Sequence, residues 1–168
     1  MSVRFALLAS LSLLVAACAK NPLQVVVSHC PAVAVVGDVG TLTRFKGEGR
    51  TTNDVEFTAS ITNVKPDCKQ ADSVTSHVTF DITAEAGKAL TSRTVTLPYF
   101  VAVLKDNSQI VSKKRYDVTL TFGRDGIAHA TQTVEQFIPT MAQAKRYNYE
   151  VLLGFQLTPE EAMYNMER

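Results

Sequence analysis

Tyr147-Asn148-Tyr149-Glu150-Val151-Leu152-Leu153-Gly154-Phe155-Gln156-Leu157 is the stretch on which the fold turns. Tyr147, Tyr149, Val151, Leu153, Phe155 and Leu157 fall at every second position. That is the period of a β-strand with one face committed to a core. The alternate positions are polar at Asn148, Glu150 and Gln156 but not at Leu152 and Gly154, so the outer face is dry near its middle. Gly154 has no side chain, which lets another backbone or a large neighbour such as a C-terminal helix come close. A central, half-buried strand over 147–157 with Phe155 in the core is the expectation.

Immediately downstream, Thr158-Pro159-Glu160-Glu161 carries the signals of a helix start. Thr158 suits the N-cap, Pro159 the first helical position, and Glu161 the reciprocal position of a capping box. A short C-terminal helix to about Asn165 follows, with Ala162 and Met163 offered for packing.

Upstream the strand period returns repeatedly. Val55 to Thr62 alternates, and so does Val74 to Ala84, with Val74, Ser76, Val78, Phe80 and Ile82 on one face. Between them, Asn63 to Asp72 holds Pro66 and several charges and reads as a connection. Thr94 to Leu104 is apolar on both faces, which predicts the most buried strand, and Pro98 within it predicts a bulge or a sheet switch. Ile110 to Phe122 alternates after the turn Asp106-Asn107-Ser108. Ile127 to Ile138 alternates weakly, as an edge strand does, and Pro139 to Lys145 reads as a connection. Ala32 to Val36 and Leu42 to Phe45 complete the set.

About seven strands with turn signals between them and no interior helix predict an all-β protein, a β-sandwich closed by the short C-terminal helix. The pattern resembles the immunoglobulin or fibronectin type III class. It lacks the tryptophan and the inter-sheet cysteine spacing of true immunoglobulin domains. A small barrel is the alternative.

The N-terminus reads as an export leader: Arg4, then the apolar run Phe5 to Val15, then Ala16-Ala17. That run is shorter than the roughly 20 apolar residues a spanning helix needs. Val15-Ala16-Ala17-Cys18 resembles the lipobox of bacterial lipoproteins. The resemblance implies cleavage before Cys18 and acylation of that cysteine, the alternative being an ordinary secretory leader with an incidental cysteine. Ala19, where an Asp would resemble an inner-membrane retention signal, implies the outer membrane, with the domain facing the periplasm. The expected organisation is a signal peptide over 1–17, a lipidated tether over 18–24 and one domain over 25–168. Tyr149 to Glu161, with Leu97-Pro98-Tyr99-Phe100-Val101, resembles small uncharacterised β-rich envelope lipoproteins, a likeness that implies no activity.

The 168-residue chain has 17 Lys+Arg against 16 Asp+Glu. Removing 1–17 removes Arg4, which leaves 16 against 16. A neutral domain lacks the basic face of a nucleic-acid binder, so no nucleic-acid partner is expected. With Cys18 lipidated, Cys30 and Cys68 remain as a pair in an oxidising compartment, and a disulfide is the default. Closing 38 positions stabilises by up to about 4 kcal/mol. The bond is expected to staple the N-terminal segment to a turn at Lys65-Pro66-Asp67-Cys68. The rival, a metal held by His29, Cys30 and Cys68, departs from known zinc spacings.

Catalytic patterns are missing from the sequence. There is no G-x-S-x-G elbow and no phosphate loop. His77 and His129 fall on polar strand faces. Glu160-Glu161 is explained by the helix start. Lys113-Lys114-Arg115 reads as edge-strand protection rather than a headgroup or peptidoglycan contact. Tyr99, Tyr116, Tyr147 and Tyr149 read as core rings with hydroxyls at the surface, a patch at 147 and 149 being the alternative. The expectation is therefore a non-enzymatic, lipid-anchored envelope module that binds a protein partner, with no cofactor and no metal. The alternative is a ligand-binding lipoprotein with a pocket between sheet and C-terminal helix.

Overall fold

The structure, a computed structural model, describes residues 27–167. The leader, Cys18 and the tether lie outside the described residues. Eight strands form: β1 (Ala32–Val35), β2 (Thr41–Phe45), β3 (Val55–Gln70), β4 (Val74–Ala86), β5 (Thr94–Lys105), β6 (Gln109–Thr121), β7 (Ile127–Ile138) and β8 (Tyr149–Phe155). Two α-helices, α1 (Met141–Arg146) and α2 (Pro159–Met166), and a 3₁₀ turn at Gly37–Val39 complete the chain.

The strands make two four-stranded sheets, in the orders β1-β8-β5-β6 and β2-β3-β4-β7. The protein is an all-β sandwich, with eight strands rather than about seven. All strand pairs are antiparallel except β1 with β8, which run parallel from Ala32 opposite Glu150 to Val35 opposite Leu153. The core lies between the sheets. Phe57, Phe80, Phe122, Phe155, Leu97, Leu120 and Leu153 are essentially inaccessible to solvent. Burial of each such side chain contributes about 1.5–3 kcal/mol.

β8 is an interior strand, as its alternation requires: Val151, Leu153 and Phe155 are buried between β1 and β5. It starts at Tyr149, because Tyr147 caps α1 instead. The space beside Gly154 is filled by Phe100 of β5 and Val39 of the 3₁₀ turn, not by the C-terminal helix. A Cβ there would sit 2.5 Å from Val39 Cγ2 and 2.8 Å from the Phe100 ring.

Four other expectations change. Residues 63–70 are strand: β3 runs on to Gln70 after a register shift between Thr62 and Lys65, with Asn63 in the left-handed region at φ 51°. Pro66 is tolerated because β2 pairs only with Val55–Ser60, so no strand borders the second half of β3 on that side among the described residues. Cys68 therefore lies on a strand, not a turn. The sequence 141–146 is helical, capped by Thr140, whose hydroxyl accepts from the Gln143 N–H. The irregularity in the β5–β6 ladder is not at Pro98 but between Val103 and Leu104, where β6 carries the extra residue Val111. Pro98 sits where β8 ends, its carbonyl accepting from the Gln156 N–H. Its nitrogen faces the same edge, where no ladder partner follows. β4 rather than β5 has the most regular burial, with Val74, Ser76, Val78, Phe80, Ile82 and Ala84 all inaccessible.

α2 forms as its sequence dictates. Thr158 Oγ1 accepts from the Glu161 N–H and Glu161 Oε2 accepts from the Thr158 N–H, the two halves of a capping box. The helix is seated by Tyr164, whose ring meets Phe45 edge-on at 4.9 Å, and by Asn165, which donates to the carbonyls of Asp38 and Thr41. Met163 points to solvent instead of packing.

Candidate functional site

Cys30 and Cys68 are joined, with Cα atoms 6.1 Å apart. Both thiols are consumed, so the metal reading through His29, Cys30 and Cys68 fails. Among the described residues no group of three His, Cys, Asp or Glu side chains is placed to hold an ion. The His29 N–H donates to Gln70 Oε1 beside the disulfide, which fixes where the chain enters the domain. This end also holds the β5–β6 turn and α1. Lys105 and Arg146 flank the Tyr147 ring, at 3.5 and 5.3 Å from its centroid. An open hollow of about 450 Å³ lies among Val27, Tyr147, Tyr149 and Lys145, with mostly polar walls.

The opposite end shows what lies between sheet and C-terminal helix. A hollow of about 220 Å³ is walled by Thr43, Arg44, Arg50 and Glu161. Arg44 and Glu161 are already paired at 3.3 Å, and Arg50 pairs with Glu160 at 3.2 Å. That hollow is smaller than the roughly 300–1,000 Å³ of ligand pockets and its charges are spent on each other; a second, open hollow of about 470 Å³ lies along the helix among Arg50, Glu160, Met163, Tyr164 and Glu167.

The imidazoles sit where the alternation puts them. His77 Nδ1 lies 3.5 Å from Glu135 and His129 Nε2 lies 3.2 Å from Asp81, both across the exposed face of β4 and β7. Asp81 also accepts from Asn63 and Thr131. These hydrogen bonds, Asn63 foremost, hold its carboxyl below the usual carboxylate range, with a smaller contribution from His129. Each of these two histidines is paired with a carboxylate, so the constellation is a polar sheet surface. Tyr99 is the buried tyrosine: its hydroxyl donates to Gln132 and its ring stacks on Tyr116 at 5.3 Å. Burial, and secondarily Tyr116, push its ionisation above the usual tyrosine value.

The two long outer strands are the features with unspent chemistry. β6 and β7 are edges of their sheets, on the same side of the sandwich. A bare edge presents a row of unpaired backbone donors and acceptors, which proteins usually blunt with charge, proline or a bulge. β6 is blunted in two of these ways: Lys113-Lys114-Arg115 occupy its middle and it is bulged opposite Val103/Leu104. Lys113 also lies over the Phe100 ring at 4.4 Å.

Of these devices β7 has a single charge, Glu135, and neither proline nor bulge. Its twelve residues contain no Lys, Arg or Pro, and its register with β4 runs unbroken from Ile127 to Ile138. The Ala86 N–H donates to Gly126 O, so Gly126 faces β4. By strand alternation the even-numbered residues of β7 face β4, and the odd-numbered ones turn their N–H and C=O to the open edge. Ile127 is already served, its N–H donating to Asp125 Oδ1 and its C=O accepting from the Gly123 N–H, and the outward carbonyls of Thr131 and Phe137 accept from the side chains of Gln132 and Gln136. The odd side chains, from Ile127 to Phe137, are all exposed. The weak alternation of 127–138 identified the edge; that it is lightly protected is visible only beside β6.

Among the described residues no helix is long and apolar enough to cross a membrane. No family model, no curated protein and no solved structure matches this chain.

Proposed function

We propose that this chain is a bacterial envelope lipoprotein, anchored through acylated Cys18, whose sandwich serves as a non-enzymatic protein-interaction module. The lightly protected β7 edge carries the reading: from His129 to Phe137 it turns alternate backbone groups outward beside an exposed side-chain face, the arrangement used for strand addition. The leader pattern supports the anchor. Eight residues lie between Cys18 and Val27, a span that reaches at most about 30 Å. The disulfide end is thus the tethered end, and β7 runs along the side of the domain to finish beside it at Ile138. The outer membrane, with the domain in the periplasm, is the proposed location. The ligand-binding alternative has the open hollow of about 470 Å³ along α2 to draw on, where Arg50 is already paired with Glu160.

Two variants test the proposal. Cys18→Ser should shift the protein out of the membrane fraction or leave it unprocessed, and mass spectrometry showing an unmodified Cys18 in membranes would refute the anchor. Thr133→Pro removes an outward N–H without touching the β4 ladder. It should abolish crosslinking of β7 to any protein in intact envelopes, and an unchanged crosslink would refute the docking edge.

A further inference from the structure

The odd face of β7 is self-complementary about Gln132. Thr131 and Thr133 flank it; His129 and Glu135 lie three places either side; Ile127 and Phe137 lie five places either side. Turned through a two-fold axis at Gln132, the strand meets itself antiparallel, with threonine opposite threonine, imidazole opposite carboxylate and apolar opposite apolar. The register is also the one the backbone permits. It sets odd residues against odd residues, and these are the ones whose N–H and C=O face the edge, so His129–Glu135 and Thr131–Thr133 become hydrogen-bonded pairs. Ile127 and Phe137 are 46% and 52% exposed, large apolar side chains that this pairing covers.

We infer that the partner of the β7 edge is a second copy of this chain, docked antiparallel about Gln132 to join two four-stranded sheets into one of eight. The inference rests on the reading of β7 as the docking edge and names its occupant. Imidazole–carboxylate and β-branched pairs across strands each favour this register, and a shift by two residues sets Glu135 against Thr131 instead and loses both imidazole–carboxylate contacts. Each joint would place Glu135 between His77 of its own β4 and His129 of the second copy, extending a row that already holds His77 and Glu135 3.5 Å apart. Isologous pairing of this kind closes on itself, so it yields a dimer and not a fibre. β6, on the same side, carries Lys113, Lys114 and Arg115, and like charges disfavour a joint there.

The test is cysteine crosslinking of the full chain in its own membranes. Thr131→Cys and Thr133→Cys are exposed, conservative changes that leave the ladder to β4 intact. Oxidised cells carrying both variants, each with a different tag, should give severalfold more mixed disulfide dimer than cells carrying either variant alone, because residue 131 faces 133 and not 131 across the axis. Thr131→Lys in the same protein, with its like charges close to the axis, should cause loss of the dimer. Mixed dimer no more abundant than from Ile110→Cys on the β6 edge would overturn the inference. If the β7 cysteines instead join a different envelope protein, the self-pairing is wrong and the docking edge stands. If they join nothing while the Ile110→Cys variant does, both fall.

Discussion

Replacement of Phe155 by alanine tests the core most directly. The ring is wholly buried, at the end of β8 opposite Tyr99 of β5, inside the cluster formed by both sheets. Neighbouring core groups are held by three ladders, β1–β8, β8–β5 and β5–β6, so they have little freedom to collapse into the space left behind. The loss of transfer energy plus the residual cavity comes to about 3–5 kcal/mol. A domain of this size has a total stability of about 7–20 kcal/mol on a per-residue basis, so the variant stands near the edge of folding. Thr158→Ala is the internal control. It removes one side-chain acceptor, for the Glu161 N–H, at an exposed helix start, at a cost of about 0.5–2 kcal/mol. The chain has no tryptophan, so urea unfolding of the protein from Ala19 onward is best followed by far-ultraviolet circular dichroism. The midpoint should fall by about 2 M for Phe155→Ala and by less than half of that for Thr158→Ala. A Phe155→Ala midpoint equal to the parent's would place the ring at the surface and refute the sandwich as described.

Reduction of the Cys30–Cys68 bond, or the double serine variant, should lower stability by up to about 4 kcal/mol from the 38-residue loop, and non-reducing peptide mapping should find the two cysteines linked. Tyr99 should ionise above the usual tyrosine value in an ultraviolet titration. Its folded value is raised above its unfolded one, so its contribution is complete below about pH 10 and is lost as pH climbs through the folded value. Tyr99→Phe should remove that alkaline loss; an unchanged profile would show that another group carries it.

The elements whose periodicity is backed by burial were legible in the sequence. β4 alternates because one face meets the core at every second residue, and the capping box of α2 is written in Thr158, Pro159 and Glu161. The second half of β3 was not legible. Its residues are mostly exposed and charged, because only β4 borders it, so a strand with little to bury looks like a loop. α1 left one signal that passed unread: Thr140 followed three places later by Gln143, a capping pattern with only Ala144 buried behind it. Gly154 was correctly marked as a place of close approach, but its neighbours come from β5 and from Val39, far apart in sequence, and periodicity says nothing of such contacts. The candidate site was half legible. An edge can be guessed from weak alternation, whereas the symmetry of β7 about Gln132 acquires meaning only once the direction of its backbone groups is known.

The covalent link between Cys30 and Cys68 bears on how the domain withstands tension. If the chain is anchored as proposed, any pull from the membrane arrives through Val27, just ahead of β1, whose four residues are held in parallel to β8 by few bonds. Alone, that short strand would be the first to peel. The disulfide lies upstream of it and leads to β3, in the other sheet, which is paired along its length with β4. Force therefore bypasses β1 and is shared across both sheets, and peeling must begin by shearing a long antiparallel ladder rather than by unzipping a short parallel one. Under reducing conditions the path reverts to β1, so the same domain should hold its anchor against pulling only while the bond is oxidised.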